Sequence, residues 1–299
     1  MSEFNTVFYS LAVGSSVTYH QEAQLSIVSL YAYSGDDTQI VLYTDQPKYY
    51  RWMTSDRIDI RQISQEMLDN WIKGGPNGGE PYFFRAKLCL AAQMVRENNC
   101  ATLWYDTDCV AVQPISLLTE KMAAGTALMQ KSEDRFSDGD TKAERAYWKA
   151  LKDTAYAGIQ ADEESRQWNS GIMGIPAGQS ARAERMLQVL DAMMAAKIPG
   201  RTLEQVAAGL TLENTGPLEA CDEQIMHYWA NKEVWHGFAL ELMFTALNAG
   251  ADLDAVAEHF RGVVDAGELP PLRAPRPSRL ERHKRRWRKR LRLLAPCEK

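Results

Sequence analysis

No run of 18 apolar residues occurs in the 299-residue chain, so no segment reads as a membrane-spanning helix. The N-terminus, Met-Ser-Glu-Phe-Asn, lacks the basic-then-apolar order of a secretory leader, and the expected location is cytoplasmic. Cysteine is scarce. Cys89, Cys100, Cys109, Cys221 and Cys297 are odd in number, scattered and never spaced Cys-x-x-Cys, which argues against a disulfide framework and a zinc site. Internal repeats are absent. Excess basic charge is missing from most of the chain: from Arg273 onward there are twelve Lys and Arg against two Glu, a charge of +10, which within a net −5 leaves the rest at −15. An acidic body disfavours nucleic acid as a partner, and the basic tail reads as a local appendage.

What is present is a globular composition, 45% hydrophobic and 24% charged. Residues 6–13 read as a buried strand stopped by Gly14, residues 19–33 carry apolar positions at helical spacing, and residues 39–44 and 58–63 read as further strands. Strand, helix, strand is the pattern of a parallel sheet covered by helices, so the expected class is α/β with a mostly parallel central sheet. The Gly-rich residues 74–81 read as a linker or a loop over a site, followed by a helix over 82–98 with Arg85 and Lys87 in its first turns. Cations there oppose the helix dipole and point to a partner outside the helix. Residues 131–167 read as a polar, mostly helical insertion, 168–176 as a turn entering a strand, and 182–196 as an amphipathic helix. A further helix is expected to open within 218–229, and 256–260 is a last short apolar element.

The strand at 102–105 delivers Asp106-Thr107-Asp108 at its exit. In extended chain alternate side chains share a face, so Asp106 and Asp108 are expected to point together while Thr107 points away. Two carboxylates so placed suit a hard cation such as Mn2+ or Mg2+ with positions left open for phosphate oxygens. Alone, an Asp-x-Asp is more often a polar turn closing a strand.

Four islands follow in order: Asp106-Thr107-Asp108 after a strand, Asn169-Ser170-Gly171 before one, Asp222-Glu223-Gln224 at a helix start, and His259-Phe260-Arg261-Gly262 near the end of the body. Together they resemble the GT-A class of nucleotide-sugar glycosyltransferases, in particular the retaining, glycogenin-like and lipopolysaccharide galactosyltransferase-like group. That resemblance implies a single Rossmann-like GT-A domain over 1–272, with 273–299 as a basic amphipathic tail. It implies a hexosyltransferase that moves a sugar from a nucleotide diphosphate, UDP above all, to a glycan or glycolipid. The metal would be held by Asp106, Asp108 and a late histidine in a His-x-x-Gly context. That histidine maps to His259 with Gly262, and His236 competes for the role. The relatives continue with a Lys-Pro-Trp run that grips the diphosphate, whereas Val-Val-Asp follows Gly262 here. By the same resemblance Leu11 and Ala12 face the nucleoside. Arg85, Lys87, Tyr105, Thr107, Asn169, Ser170 and Gly171 contact the donor, and Asp222 and Glu223 serve the anomeric centre.

In residues 279–294, Leu280, Trp287, Leu291 and Leu294 share one helical face amid basic residues, the pattern of a peripheral anchor on the anionic inner face of a membrane. The alternatives are a sugar nucleotidyltransferase and a non-catalytic membrane-surface scaffold. Residues 12–16, Ala-Val-Gly-Ser-Ser, lack the basic Gly-rich loop of the first. The two aspartates with Asp222-Glu223 disfavour the second.

Overall fold

The computed structural model describes residues 4–75, 80–139, 142–198 and 200–273; the basic tail from 274 on lies outside them. β1 (Thr6–Ala12) is buried at every position. Its side chains alternate between two apolar layers, Val7, Tyr9 and Leu11 on one face and Phe8 and Ala12 on the other, so each face of the sheet has its own core. α1 (Val17–Tyr33), β2 (Thr38–Thr44), β3 (Ile58–Gln62), α2 (Gln65–Ile72), α3 (Arg85–Glu97) and β4 (Ala101–Tyr105) complete the first half. β5 (Cys109–Ala111), α4 (Ser116–Ala123), β6 (Ala127–Arg135), α5 (Lys142–Lys152), β7 (Arg166–Ile175), α6 (Ser180–Ala195) and α7 (Leu203–Thr215) follow. β8 (Leu218–Ala220), β9 (Ile225–His227), α8 (Lys232–Asn248) and α9 (Leu253–Asp265) close the body.

The central sheet has the order β3-β2-β1-β4-β7-β6-β8, and β5 and β9 form a separate antiparallel pair. Among these seven strands only β7 runs against the rest, since β4 and β6 are each antiparallel to it and the other pairings are parallel. The expected α/β class with a mostly parallel sheet is therefore the observed one. β1 lies between β2 and β4, so the chain steps outward on one side of β1 and then crosses to the other. Open α/β sheets bind ligands at the carboxyl ends of strands flanking such a switch.

Two expectations about local structure are corrected. Residues 131–135 are not helical: although polar, they extend β6 and pair with β7 in the register Lys131↔Asn169, Ser132↔Trp168 and Arg135↔Arg166, across two irregularities. Outward exposure explains their polarity, and among the described residues of 131–167 helix is limited to α5 and a 3-10 turn at Phe136–Asp138. Nor does a helix open at Asp222. The Cys221 N–H donates to Met129 O at 3.1 Å, continuing the β8 pairing, and Asp222 and Glu223 occupy the turn that leads into β9. α9 is longer than its apolar pattern suggested, because Asp252 caps it by accepting from the Ala255 N–H at 3.0 Å. Of the Gly-rich loop, residues 76–79 lie outside the described residues.

Candidate active site

β4 ends at Tyr105, and the Asp106 N–H still donates to Gly171 O of β7 at 2.8 Å. The chain then turns, with the Cys109 N–H donating to Asp106 O at 3.0 Å. The two carboxylates therefore sit in a tight turn, not in extended chain, and they diverge. Asp106 is drawn to the Lys87 Nζ at 2.9 Å and accepts from the Trp104 Nε1 at 2.6 Å. Lys87 is buried and also reaches Ser170 O at 3.1 Å. Burial pulls the Lys87 pKa down, but the charges of Asp106 and Glu204 outweigh it and raise the value, so the ammonium stays charged.

Asp108 turns the other way. The β5/β9 register sets Cys109 opposite His227, and this brings His227 Nε2 to 3.1 Å from Asp108 Oδ1. The Lys232 Nζ, at the start of α8, is 2.8 Å from Asp108 Oδ2. Burial alone would raise the Asp108 carboxyl, but the hydrogen bond and charge of His227, with Lys232, hold it well below the usual carboxylate range. On its far side the imidazole meets Asn169. Asn169 Oδ1 accepts the Gly171 N–H at 2.9 Å, which fixes the amide's orientation, and His227 Nδ1 lies 2.9 Å from the same oxygen. Both oxygens can only accept, so with no ion bound Nδ1 donates to Asn169 and Nε2 donates to the Asp108 carboxylate.

These groups meet in one cleft at the switch point. Its apolar half, about 430 Å³, is lined by Leu11, Val13, Tyr19, Phe83, Phe84 and Trp104. A polar half of about 630 Å³ is lined by Asn169, Ser170, Gly171, Glu204, Gln205 and Trp229, among others. Lys87, Asp106, Asp108 and Lys232 line both halves and so stand between them. Glu204, in the first turn of α7, is buried, and its Oε2 accepts from the Tyr82 hydroxyl at 2.7 Å. Burial raises its pKa against the opposing pull of Lys87 and Tyr82.

Of the residues expected at the site, Leu11, Lys87, Asp106, Thr107, Asp108, Asn169, Ser170 and Gly171 line this cleft. Ala12 and Tyr105 instead point into the core beneath α1, fully buried. Arg85 faces away from the cleft: its guanidinium pairs with Asp191 of α6 at 2.7 and 2.9 Å and donates to Trp71 O at 2.9 Å. Arg85→Ala is expected to cost about 2 kcal/mol of stability, measured by denaturant unfolding, and to leave donor affinity unchanged. Asp222 lies 2.7 Å from Lys131 in the surface turn, and Glu223 is exposed; neither lines the cleft. His259 is exposed on α9, where neighbouring Arg261 reaches Ala32 O at 2.9 Å. At 1.5 Å per residue Ala32 is roughly 20 Å along α1 from the cleft residue Tyr19, so His259 and Gly262 are not brought to the aspartates. His236 pairs with the buried Glu22, whose carboxylate also takes Lys232 at 3.1 Å. The histidine at the aspartates is His227. Its signal was present in the sequence: Lys232 and Trp235 follow it in the His, Lys, Trp order that the resemblance expects.

The residues fit a divalent ion. Asp108, Cys109 and His227 each place one ligand atom within 4.8 Å of the others. Cys109 is an unsuitable member, since burial pushes its thiol well above the ordinary range and a soft protonated sulfur does not suit Mg2+ or Mn2+. The Asp108 carboxylate and Nε2 of His227, which would give up its proton to a bound metal, are a sound ligand pair, and Asn169 supplies the acceptor that fixes the ring of a metal-bound histidine.

No family model matches the chain, and no curated protein matches it. Among solved structures, the apo form of mouse xyloside xylosyltransferase 1 is similar at 12% identity, with 72% of this chain and 84% of that chain covered and a TM-score of 0.48.

Proposed function

We propose that this chain is a metal-dependent glycosyltransferase of the GT-A type, moving a hexose from a nucleotide diphosphate to a glycan or glycolipid. The observation that carries the reading is the cleft in which two aspartates stand between an apolar, aromatic-lined half and a polar, carboxylate-bearing half, with His227 on the polar side. A nucleobase suits the first, where Tyr19, Phe83 and Phe84 offer rings. A sugar suits the second, where Asn169, Glu204 and Gln205 offer hydrogen-bonding groups. The diphosphate then falls at the boundary, between the Lys87 and Lys232 ammoniums.

Asp106, Asp108 and His227 would hold the metal, which when bound supplies Lewis-acid stabilisation of the departing diphosphate. Lys87 and Lys232 already neutralise the two aspartates, and each turns to a phosphate oxygen as the donor seats. Glu204 and Gln205 take the place beside the sugar that Asp222 and Glu223 were expected to fill. A buried carboxylate near the anomeric carbon can stabilise an oxocarbenium-like centre or attack it. Retention and a UDP donor follow from the resemblance, and the tail from 273 places the enzyme on the anionic inner face of a membrane.

The test is a hydrolysis screen over UDP-, GDP- and dTDP-sugars with Mn2+, run on the wild type, Glu204→Gln and Glu223→Gln. At least one donor should turn over. Glu204→Gln should lower kcat by about 10²-fold and Glu223→Gln by less than twofold. No turnover of any donor, or equal losses in the two variants, overturns the assignment.

A further inference from the structure

Among the described residues nine large apolar side chains are exposed; four of them, Val234, Leu240, Phe244 and Leu247, fall within α8, and a fifth, Trp229, sits in the turn just before it. Leu240, Phe244 and Leu247 follow one another at four and three residues, so they form one line along the outside of the helix. The inner face of α8 is also apolar, with Trp235, Ala239, Leu242, Met243 and Ala246 buried. A helix apolar on both faces is one that something covers on both.

Two further observations say what covers it. The last described residues return to the beginning of α8, where the Asn231 Nδ2 and Trp235 Nε1 donate to Pro271 O at 2.7 and 3.3 Å. From Arg273, two residues on, the chain carries its +10 charge. The basic sequence therefore begins at the start of α8, and Trp229 at that same end lines the polar half of the cleft.

We propose that the outer face of α8, with Trp229, lies against an anionic lipid surface, so that the cleft opens toward a membrane-borne acceptor. Exposed Glu233 and Glu241 flank the stripe, so α8 has apolar surface but no electrostatic attraction of its own. The twelve tail cations supply that attraction, and α8 supplies insertion; stable peripheral attachment requires two such signals. A second copy is the poorer occupant. Docking α8 on α8 would gather the flanking glutamates of both copies and set two +10 segments side by side, whereas anionic headgroups neutralise those segments.

The contact does not depend on the transferase reading, and its test separates the two. Full-length wild type and Leu240→Ser/Phe244→Ser are sedimented with phosphatidylcholine vesicles containing one quarter phosphatidylglycerol, alongside donor hydrolysis without vesicles and sedimentation velocity. Both side chains are solvent-exposed, so the variant should fold. The expected result is at least a tenfold loss of vesicle partitioning with the hydrolysis rate, whatever its value, unchanged. Unchanged partitioning overturns the proposal. So does a wild-type dimer that the variant dissociates without loss of vesicle binding, because α8 would then be an interface between copies.

Discussion

Asp108→Asn is expected to lower Mn2+-dependent donor hydrolysis by about 10³-fold while leaving the protein folded, and chelation of the wild type should produce a loss of the same order. The substitution keeps the shape of a nearly buried side chain and removes its charge. Lys232 retains a carboxylate partner in Glu22, which limits the structural damage. A second readout separates loss of metal from loss of fold. Asp106 is held away by Lys87 and Trp104, and Asp108 is engaged by Lys232, so an ion arriving alone must compete with two ammoniums. A nucleoside diphosphate draws those ammoniums to its own oxygens and fills open coordination positions. Mn2+ affinity of the wild type, followed by the free-ion electron paramagnetic resonance signal, should rise at least tenfold when UDP is added, and Asp108→Asn should show no such rise. Retained Mn2+-dependent turnover in the variant, or wild-type Mn2+ binding indifferent to UDP, would sink the assignment.

The sheet was legible because its signal is local. β1 alternates between two buried layers, and β4 ends on two aspartates at the edge where a switch-point cleft forms. The third partner was not legible by periodicity, since β9 is three residues long and is placed by its pairing with β5, a contact across more than a hundred residues. The His-x-x-Gly pattern fits His259 and Gly262, whereas after His227 Ala230 stands where that pattern has glycine, and Lys232-Glu233-Val234-Trp235 replaces Lys-Pro-Trp. The acidic pair of the resemblance lies outside the cleft for a related reason. Asp222-Glu223, which the resemblance puts at the anomeric centre, sits in a surface turn outside the cleft, whereas Glu204, beside Gln205 in the first turn of α7, lines it. Nothing in residue type distinguishes the two pairs; the distinction is that β8 and β9 claim the backbone around Asp222. Asn169-Ser170-Gly171 lines the cleft but is not a turn before a strand, as the motif lies inside β7 and the lysine it meets comes from α3.

Gly171→Ala should be as damaging to activity as removal of His227, for a reason that is wholly steric. A Cβ on Gly171 would fall 2.5 Å from His227 Nδ1, 2.8 Å from its Cε1 and 3.1 Å from Cys109 Sγ. The ring cannot yield cheaply, being held by Asn169 on one side and Asp108 on the other, so the methyl must push it out of line with Asp108 or open β4 from β7. Overpacking of this kind costs about 1–3 kcal/mol. Metal-dependent hydrolysis should fall by about 10²-fold or more, since a displaced imidazole no longer faces the ion. Two controls make the cause identifiable. Gly174→Ala, where the added carbon meets Leu128 Cβ and Met122 Sδ at 3.1 Å each, should destabilise the sheet without changing Mn2+ affinity. Adding His227→Ala to Gly171→Ala should restore most of the lost stability, because the space needed by the methyl is vacated, but none of the activity. Strict additivity of the two stability losses would show that the glycine is not required by the imidazole lying against it.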